Sequence, residues 1–130
     1  MVNGYLLDTS VVFWVVGEPG RLTARVRAAV EQGPAWLSVI SYWEAVIKAA
    51  IGRIDIGPVE DWWREAARVT GARVLPMRED HVSAMARLPL LHRDPFDRAL
   101  IAQAITEEWV LLTADRTVMR YAAAGLQWLR

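Results

Sequence analysis

The sequence predicts an α/β fold in three layers, with a central parallel sheet of four to five strands between two layers of helices. Three observations point there. Short apolar runs alternate with longer segments whose apolar residues recur every three or four positions, the pattern of βαβ units. Gly- and Pro-containing turns separate the two kinds of segment. No repeat, low-complexity tract or linker interrupts the alternation, so residues 1–130 are expected to form one domain.

The elements are expected in the following order. Tyr5-Leu6-Leu7 is a strand ending in Asp8-Thr9-Ser10, where Thr9 or Ser10 caps a helix over Val11 to Val16. Gly17-Glu18-Pro19-Gly20 turns the chain into a helix from Thr23 to Gln32, with Leu22, Val26, Ala29 and Val30 on one face. Trp36 to Ile40 is the second strand. Ser41 then caps a helix running to Gly52, with Glu44 at capping-box spacing. Pro58 opens a further helix carrying Val59, Trp62, Trp63, Ala66 and Val69, which Gly71 ends. Arg73 to Pro76 is the third strand, and Glu79 to Leu88 a helix on which His81 is expected at the surface. A polar loop, His92 to Asp97, leads into a helix from Arg98 to Glu108. Val110 to Thr113 is the fourth strand, Asp115 precedes a helix through Ala122, and Leu126 to Leu129 is a fifth strand.

Composition removes several function classes. Hydrophobic residues make up 54% and charged residues 23% of 130, so the chain is globular and rather apolar, as suits a protein that buries further surface against a partner. Absence of cysteine excludes disulfides, zinc–thiolate sites and cysteine nucleophiles. The first residues lack the basic and long apolar regions of a signal peptide, and no stretch has the length of a membrane span. A cytoplasmic location without membrane partners is therefore expected. Net charge is zero, so a nucleic-acid ligand would have to be held by local arginines and bound metal. No P-loop, GxGxxG or GxSxG motif occurs.

The informative residues are acids at the switches between apolar run and helix: Asp8, Glu44, Asp94, Asp97 and Asp115. In an open parallel sheet, ligands bind beyond the carboxyl ends of the strands. Asp8 and Asp115 fall at such ends, and the other three lie at or near helix starts that face the same crevice. Gathered carboxylates repel one another unless a cation neutralises them, which points to a divalent-metal site and phosphodiester chemistry. Each acid also has a plainer reading as a helix cap. Of Asp94 and Asp97, which flank Pro95-Phe96, one caps, and Asp97 is the one expected to enter the crevice. His92 either touches phosphate or is a solvated loop histidine. The tryptophans at 36, 43, 62, 63, 109 and 128 read as core or interface, and Trp62 and Trp63 cannot both face inward.

The motifs, taken in order, resemble a known family. Leu6-Leu7-Asp8-Thr9-Ser10 resembles the opening of PIN-domain proteins, and Ser38 to Glu44 resembles their second acidic segment. His92-Arg93-Asp94-Pro95-Phe96-Asp97-Arg98, running into Leu100-Ile101-Ala102-Gln103-Ala104, is similar to a segment of the VapC-type toxin branch. Leu111 to Asp115 resembles the last acidic motif. The resemblance implies a metal-dependent endoribonuclease, the toxin of a type II toxin–antitoxin pair. It implies an acidic quartet of Asp8, Glu44, Asp97 and Asp115, a VapB-type antitoxin partner and a homodimer.

On that footing Mg2+, or Mn2+ in its place, is expected on Asp8 and Asp97, with Glu44 and Asp115 holding its waters or a second ion. Asp94 is an accessory acid. Arg93, Arg98 and Arg116 border the acids and either steady RNA phosphates or act as solvated or ion-paired arginines. Two other functions fit the residues less well. A phosphohydrolase with an aspartyl nucleophile usually wants a second Asp two residues after the first, where this chain has Ser10. A non-catalytic binding module would use the acids only as caps.

Overall fold

A computed structural model describes residues 2–130; Met1 lies outside the described residues. Five strands, β1 (Tyr5–Leu7), β2 (Ala35–Ser38), β3 (Arg73–Leu75), β4 (Val110–Leu112) and β5 (Gln127–Leu129), pair in parallel in the order β3-β2-β1-β4-β5. Register places Leu6 beside Trp36 on one side and Leu111 on the other. The helices are α1 (Thr9–Gly17), α2 (Ala24–Gln32), α3 (Val39–Ala50), α4 (Val59–Thr70), α5 (Glu79–Ala86), α6 (Pro95–Glu107) and α7 (Arg116–Met119).

Alternation along β1 separates two cores. Tyr5 and Leu7 face one side with Leu37 and Leu112, under Val11, Val12 and Val15 of α1, Val26 of α2, and Trp62 and Ala66 of α4. Leu6 faces the other with Leu75 and Leu111, under Leu100, Ile101 and Ala104 of α6, and Val118 and Tyr121 beyond β4. Ile40 of α3 joins the second core and Ala45 the first. The expected three-layer α/β architecture is therefore present. Leu6, Leu7, Leu111 and Leu112 are fully buried, each worth about 1.5–3 kcal/mol over an exposed position.

Several boundaries differ from expectation. The first helix begins at Thr9, with Asp8 as its cap residue. The second strand ends at Ser38, whose hydroxyl accepts the Ile40 N–H at 3.0 Å and starts α3 there. Ser41 is thus inside the helix, fully buried, and is no cap. Helix α6 starts at Pro95, before Arg98, because the Asp94 side chain accepts the N–H groups of Phe96 and Asp97. Beyond β4, α7 is a single turn that tightens into a 3₁₀ segment, Arg120–Ala124.

His81 corrects another expectation: it is wholly buried where α5 packs on α6. Its Nδ1 accepts the Arg78 N–H at 3.1 Å, and its Nε2 lies 3.0 Å from Glu107 Oε2. Neighbouring Glu79 and Asp80 give the segment a polar look, yet the ring is satisfied at both nitrogens. Trp62 enters the core, while half-buried Trp63 stacks on Tyr42 at 4.8 Å.

Candidate active site

From β1 the chain moves outward through β2 to β3, then returns to lay β4 against the other side of β1. The carboxyl ends of β1 and β4 therefore border a switch point, where chain connections diverge and leave a crevice. Helices α1, α3 and α7 follow β1, β2 and β4, so their N-termini lie at that edge. Helix α6 leads down into the start of β4, which puts its N-terminus at the same edge. Four positive helix ends there make the edge tolerant of negative charge.

Asp8, Asp94 and Asp115 are the cap residues of α1, α6 and α7. Asp8 Oδ1 accepts the Thr9 N–H at 2.8 Å, and Oδ2 accepts the Thr113 hydroxyl at 2.7 Å. Thr9 in turn shares a 2.8 Å hydrogen bond with Ser41 of α3. Asp115 Oδ1 receives the Thr117 and Val118 N–H groups, leaving Oδ2 on the crevice side, 3.8 Å from His92 Nε2. Asp97, third in α6, is clear of the cap that Asp94 provides.

Glu44 sits in the second turn of α3 with its carboxylate buried. Oε2 is 2.7 Å from Lys48 Nζ, one turn on, whereas Oε1 has no partner. A buried carboxylate oxygen without a partner is costly.

Asp97, Asp115 and His92 offer ligand atoms within 4.8 Å of one another. His92 Nε2 lies 2.7 Å from Asp97 Oδ2 but is not aligned for a hydrogen bond, so proximity and bonding part company here. Its Nδ1 accepts the Asp94 N–H at 3.3 Å, which leaves the proton of the neutral ring on Nε2. His92 is thus a partly buried neighbour of the acids, held by the loop, and not a solvated loop residue. A second grouping, Asp80, His81 and Glu107, is already neutralised by Arg78, which binds both acids.

The electrostatics mark the crevice as short of positive charge. Burial pushes the Asp97 carboxyl up to about 8, reinforced by repulsion from Asp8, then Asp94, Glu44 and Asp115. All five acids therefore share one field. Burial likewise raises Asp8 to about 6 against the hydrogen bonds from Thr113 and Thr9, which pull it down; Asp115 and Glu44 push it further up.

The three arginines go different ways. Arg93 lines a cavity with Glu44, Lys48 and Phe96 beside the acids. Arg116 is exposed next to Asp115. Arg98 is committed elsewhere: its guanidinium donates to Pro89 O, Met85 O and Tyr121 Oη at 3.0–3.2 Å. Thr113, Tyr121 and Lys48 also support the site, though the sequence expectations do not include them. Only Lys48 had a signal, its i,i+4 spacing from Glu44.

The donor set fits a hard divalent cation. It consists of carboxylate oxygens, with an unpartnered buried Glu44 oxygen and two acids whose proton affinity is raised by burial and, after it, by repulsion from the neighbouring acids. Among the described residues, no helix is long and apolar enough to cross a membrane.

Comparisons with known proteins agree with this geometry. The PIN domain family model matches residues 5–124. Ribonuclease VapC22 of Mycobacterium tuberculosis is 32% identical over 114 residues, 85% of this chain and 86% of the relative. DNA-bound VapBC from Salmonella typhimurium superposes with a TM-score of 0.71 at 16% identity, over 99% of this chain and 98% of that one. VapBC2 from Rickettsia felis, bound to a promoter DNA fragment, gives 0.68 at 13% identity over 96% of each chain. These structural likenesses speak for the fold. The chain belongs to the PIN-domain family, in its VapC branch.

Proposed function

We propose that this chain is the ribonuclease toxin of a VapBC-type pair, and that it hydrolyses RNA phosphodiester bonds with Mg2+, or Mn2+, held at the carboxylate crevice. The observation that carries the metal reading is Asp97. It offers a ligand atom within 4.8 Å of those of Asp115 and His92, and burial with repulsion from Asp8, Asp94, Glu44 and Asp115 pushes its carboxyl up to about 8, a setting that a hard divalent cation suits. Helix capping alone leaves that repulsion and the bare Glu44 Oε1 unexplained.

Asp8 and Asp97 are the residues proposed to hold the metal, with Asp115 and Glu44 as the supporting carboxylates that would hold its waters or a second ion. When bound, the cation neutralises the acids, polarises the phosphodiester and lowers the pKa of water. The chain's own residues do the rest. Lys48 holds Glu44 Oε2 and fixes the carboxylate plane, which leaves Oε1 as the oxygen that would accept a hydrogen bond from water admitted to the crevice. Thr113 and Thr9 N–H orient Asp8. His92, held by its loop, lies beside the crevice-facing oxygens of Asp97 and Asp115. Arg93 and Arg116 flank the acids and hold neighbouring RNA phosphates, with Asp94 as accessory cap. Arg98 ties the His92 loop to α5 and takes no part at the phosphate.

The same reading carries a VapB-type antitoxin and a homodimer as partners. Trp43, Val46 and Ile51 of α3 and its C-terminal end expose an apolar face suited to a protein contact, Trp43 being 57% exposed. The test is direct: incubate the purified chain with single-stranded RNA and Mg2+, with chelator, and as Asp8→Asn. Cleavage should require metal and Asp8. Cleavage indifferent to both would overturn the proposal.

A further inference from the structure

Beside the carboxylates, on the α1 side, lies a groove that the metal chemistry leaves unused. Two adjoining hollows, of about 330 and 260 Å³, share Trp14, Arg21 and Ala114. The first is lined also by Ser10 and Asp115, and the second reaches Thr113, the residue that hydrogen-bonds Asp8. The groove is therefore continuous with the floor of the crevice.

Its shape follows from local sequence. Helix α1 ends at Gly17, and the 3₁₀ turn Pro19–Arg21 folds the chain back, with the Arg21 N–H donating to Glu18 O at 3.0 Å. That return lays the Arg21 guanidinium over the Trp14 ring, 4.7 Å from its centroid. Such a cation–π contact flattens a flexible side chain against a rigid one. Glu18 is the acid paired with Arg21, at 3.6 Å, and both are exposed. A pair of that kind is screened by solvent and leaves the guanidinium available.

We infer that this groove is a nucleotide subsite for the single-stranded RNA substrate, an inference that rests on the ribonuclease reading above. The base lies on the flat Trp14–Arg21 surface, the outer guanidinium N–H groups hold the adjacent phosphate, and the exposed Ser10 hydroxyl serves the ribose at the mouth. Chemistry favours RNA over a docking peptide. A polyanion entering a cluster of five acids needs cationic and aromatic contacts beside the metal, since the chain carries no net positive charge to draw it in. Arg21 and Trp14 supply both next to Asp115. Because Trp14 and Arg21 form a single stacked surface, they read one nucleotide position.

The test is steady-state cleavage of single-stranded RNA by Arg21→Ala, Trp14→Leu and Trp14→Phe, with cleavage ends sequenced and antitoxin affinity measured in parallel. Thermal melts matching wild type establish that the variants fold, and Trp14→Phe, which keeps a ring, stands in for Trp14→Leu if that variant does not. Arg21→Ala and Trp14→Leu should raise KM by about tenfold with kcat within twofold. They should also relax base preference at a single position beside the cut, and Trp14→Phe should restore most of both. Unchanged KM and preference in folded variants of an active enzyme would overturn the subsite while leaving the ribonuclease standing. Loss of antitoxin affinity without a change in KM would overturn it in favour of a protein contact. A wild type that cleaves no RNA would bring down both readings.

Discussion

The Thr113 hydroxyl donates to Asp8 Oδ2 at 2.7 Å, joining the carboxyl ends of two neighbouring strands, β4 and β1, across the switch point. The bond fixes the Asp8 carboxylate and opposes the upward push that burial exerts on it. Thr113→Val keeps the shape and removes both the donor to Asp8 and the acceptor of the Asp115 N–H at 3.1 Å. Asp8 should then hold its proton to higher pH, moving the acid limb of the cleavage–pH profile upward by about half a unit to one unit. Stability should fall by about 1–2 kcal/mol in urea unfolding.

Burial of Asp97 beside four other acids costs the folded protein stability. The folded Asp97 pKa of about 8 lies above the ordinary carboxylate value of 3.8, so between those pH values the folded state binds more protons than the unfolded one. Stability from this group therefore falls as pH rises through that window, and the penalty is complete above about pH 8. Asp97→Asn should raise the melting temperature in chelator at pH 8 by several degrees and leave it little changed near pH 4. Adding Mn2+ should reverse the order, stabilising wild type more than the variant.

On the proposed reading, a metal ion and protons compete for the same oxygens. With Asp97 at about 8 and Asp8 at about 6, binding at pH 7 must displace protons, chiefly from Asp97. Titration calorimetry in buffers of different ionisation enthalpy should show close to one proton released per ion at pH 7. Affinity should rise with pH through 6 to 8 and level off beyond, with cleavage following it.

Tyr121 organises the loop that brings His92 to the acids. Its fully buried hydroxyl accepts the N–H groups of Leu91 and His92 at 3.0 and 2.9 Å and donates to Pro89 O at 2.8 Å. Arg98 donates to the same oxygen at 3.1 Å. Tyr121→Phe strands these donors and should cost about 1–3 kcal/mol. Cleavage kinetics should show a lower kcat, because the loop that positions His92 and Asp94 loosens, while amide exchange quickens at Leu91 and His92.

Much of this site was legible in the sequence because its acids coincide with element boundaries. Asp8, Asp97 and Asp115 are found where strand ends and helix starts were expected, and the structure gathers them in one field. Capping and crevice-facing roles had looked like alternatives, yet they coexist. Asp115 caps α7 with one oxygen and turns the other toward His92, since a carboxylate has two. The features that local sequence does not reveal depend on distant partners. Ser41 reads as a cap from its local context, but Thr9, 32 residues away, claims its hydroxyl inside the fold. His81 reads as surface beside Glu79 and Asp80, but Gln103, Glu107 and the Arg78 N–H enclose it. Arg98 adjoins Asp97 in sequence, yet one residue along a helix is a rotation of about 100°. Its guanidinium accordingly meets Tyr121 and the loop, away from the acids.

The central claim is that Asp97 helps to hold a divalent cation that RNA cleavage requires. The most direct measurement is the single-turnover cleavage rate of a labelled single-stranded RNA across a Mn2+ titration, for wild type and Asp97→Asn at pH 8. The account predicts a rate that saturates with Mn2+ in wild type and falls by 100-fold or more in the variant, on the order of 3 kcal/mol of barrier. Equal rates in the two proteins, or cleavage that persists in chelator, would contradict it.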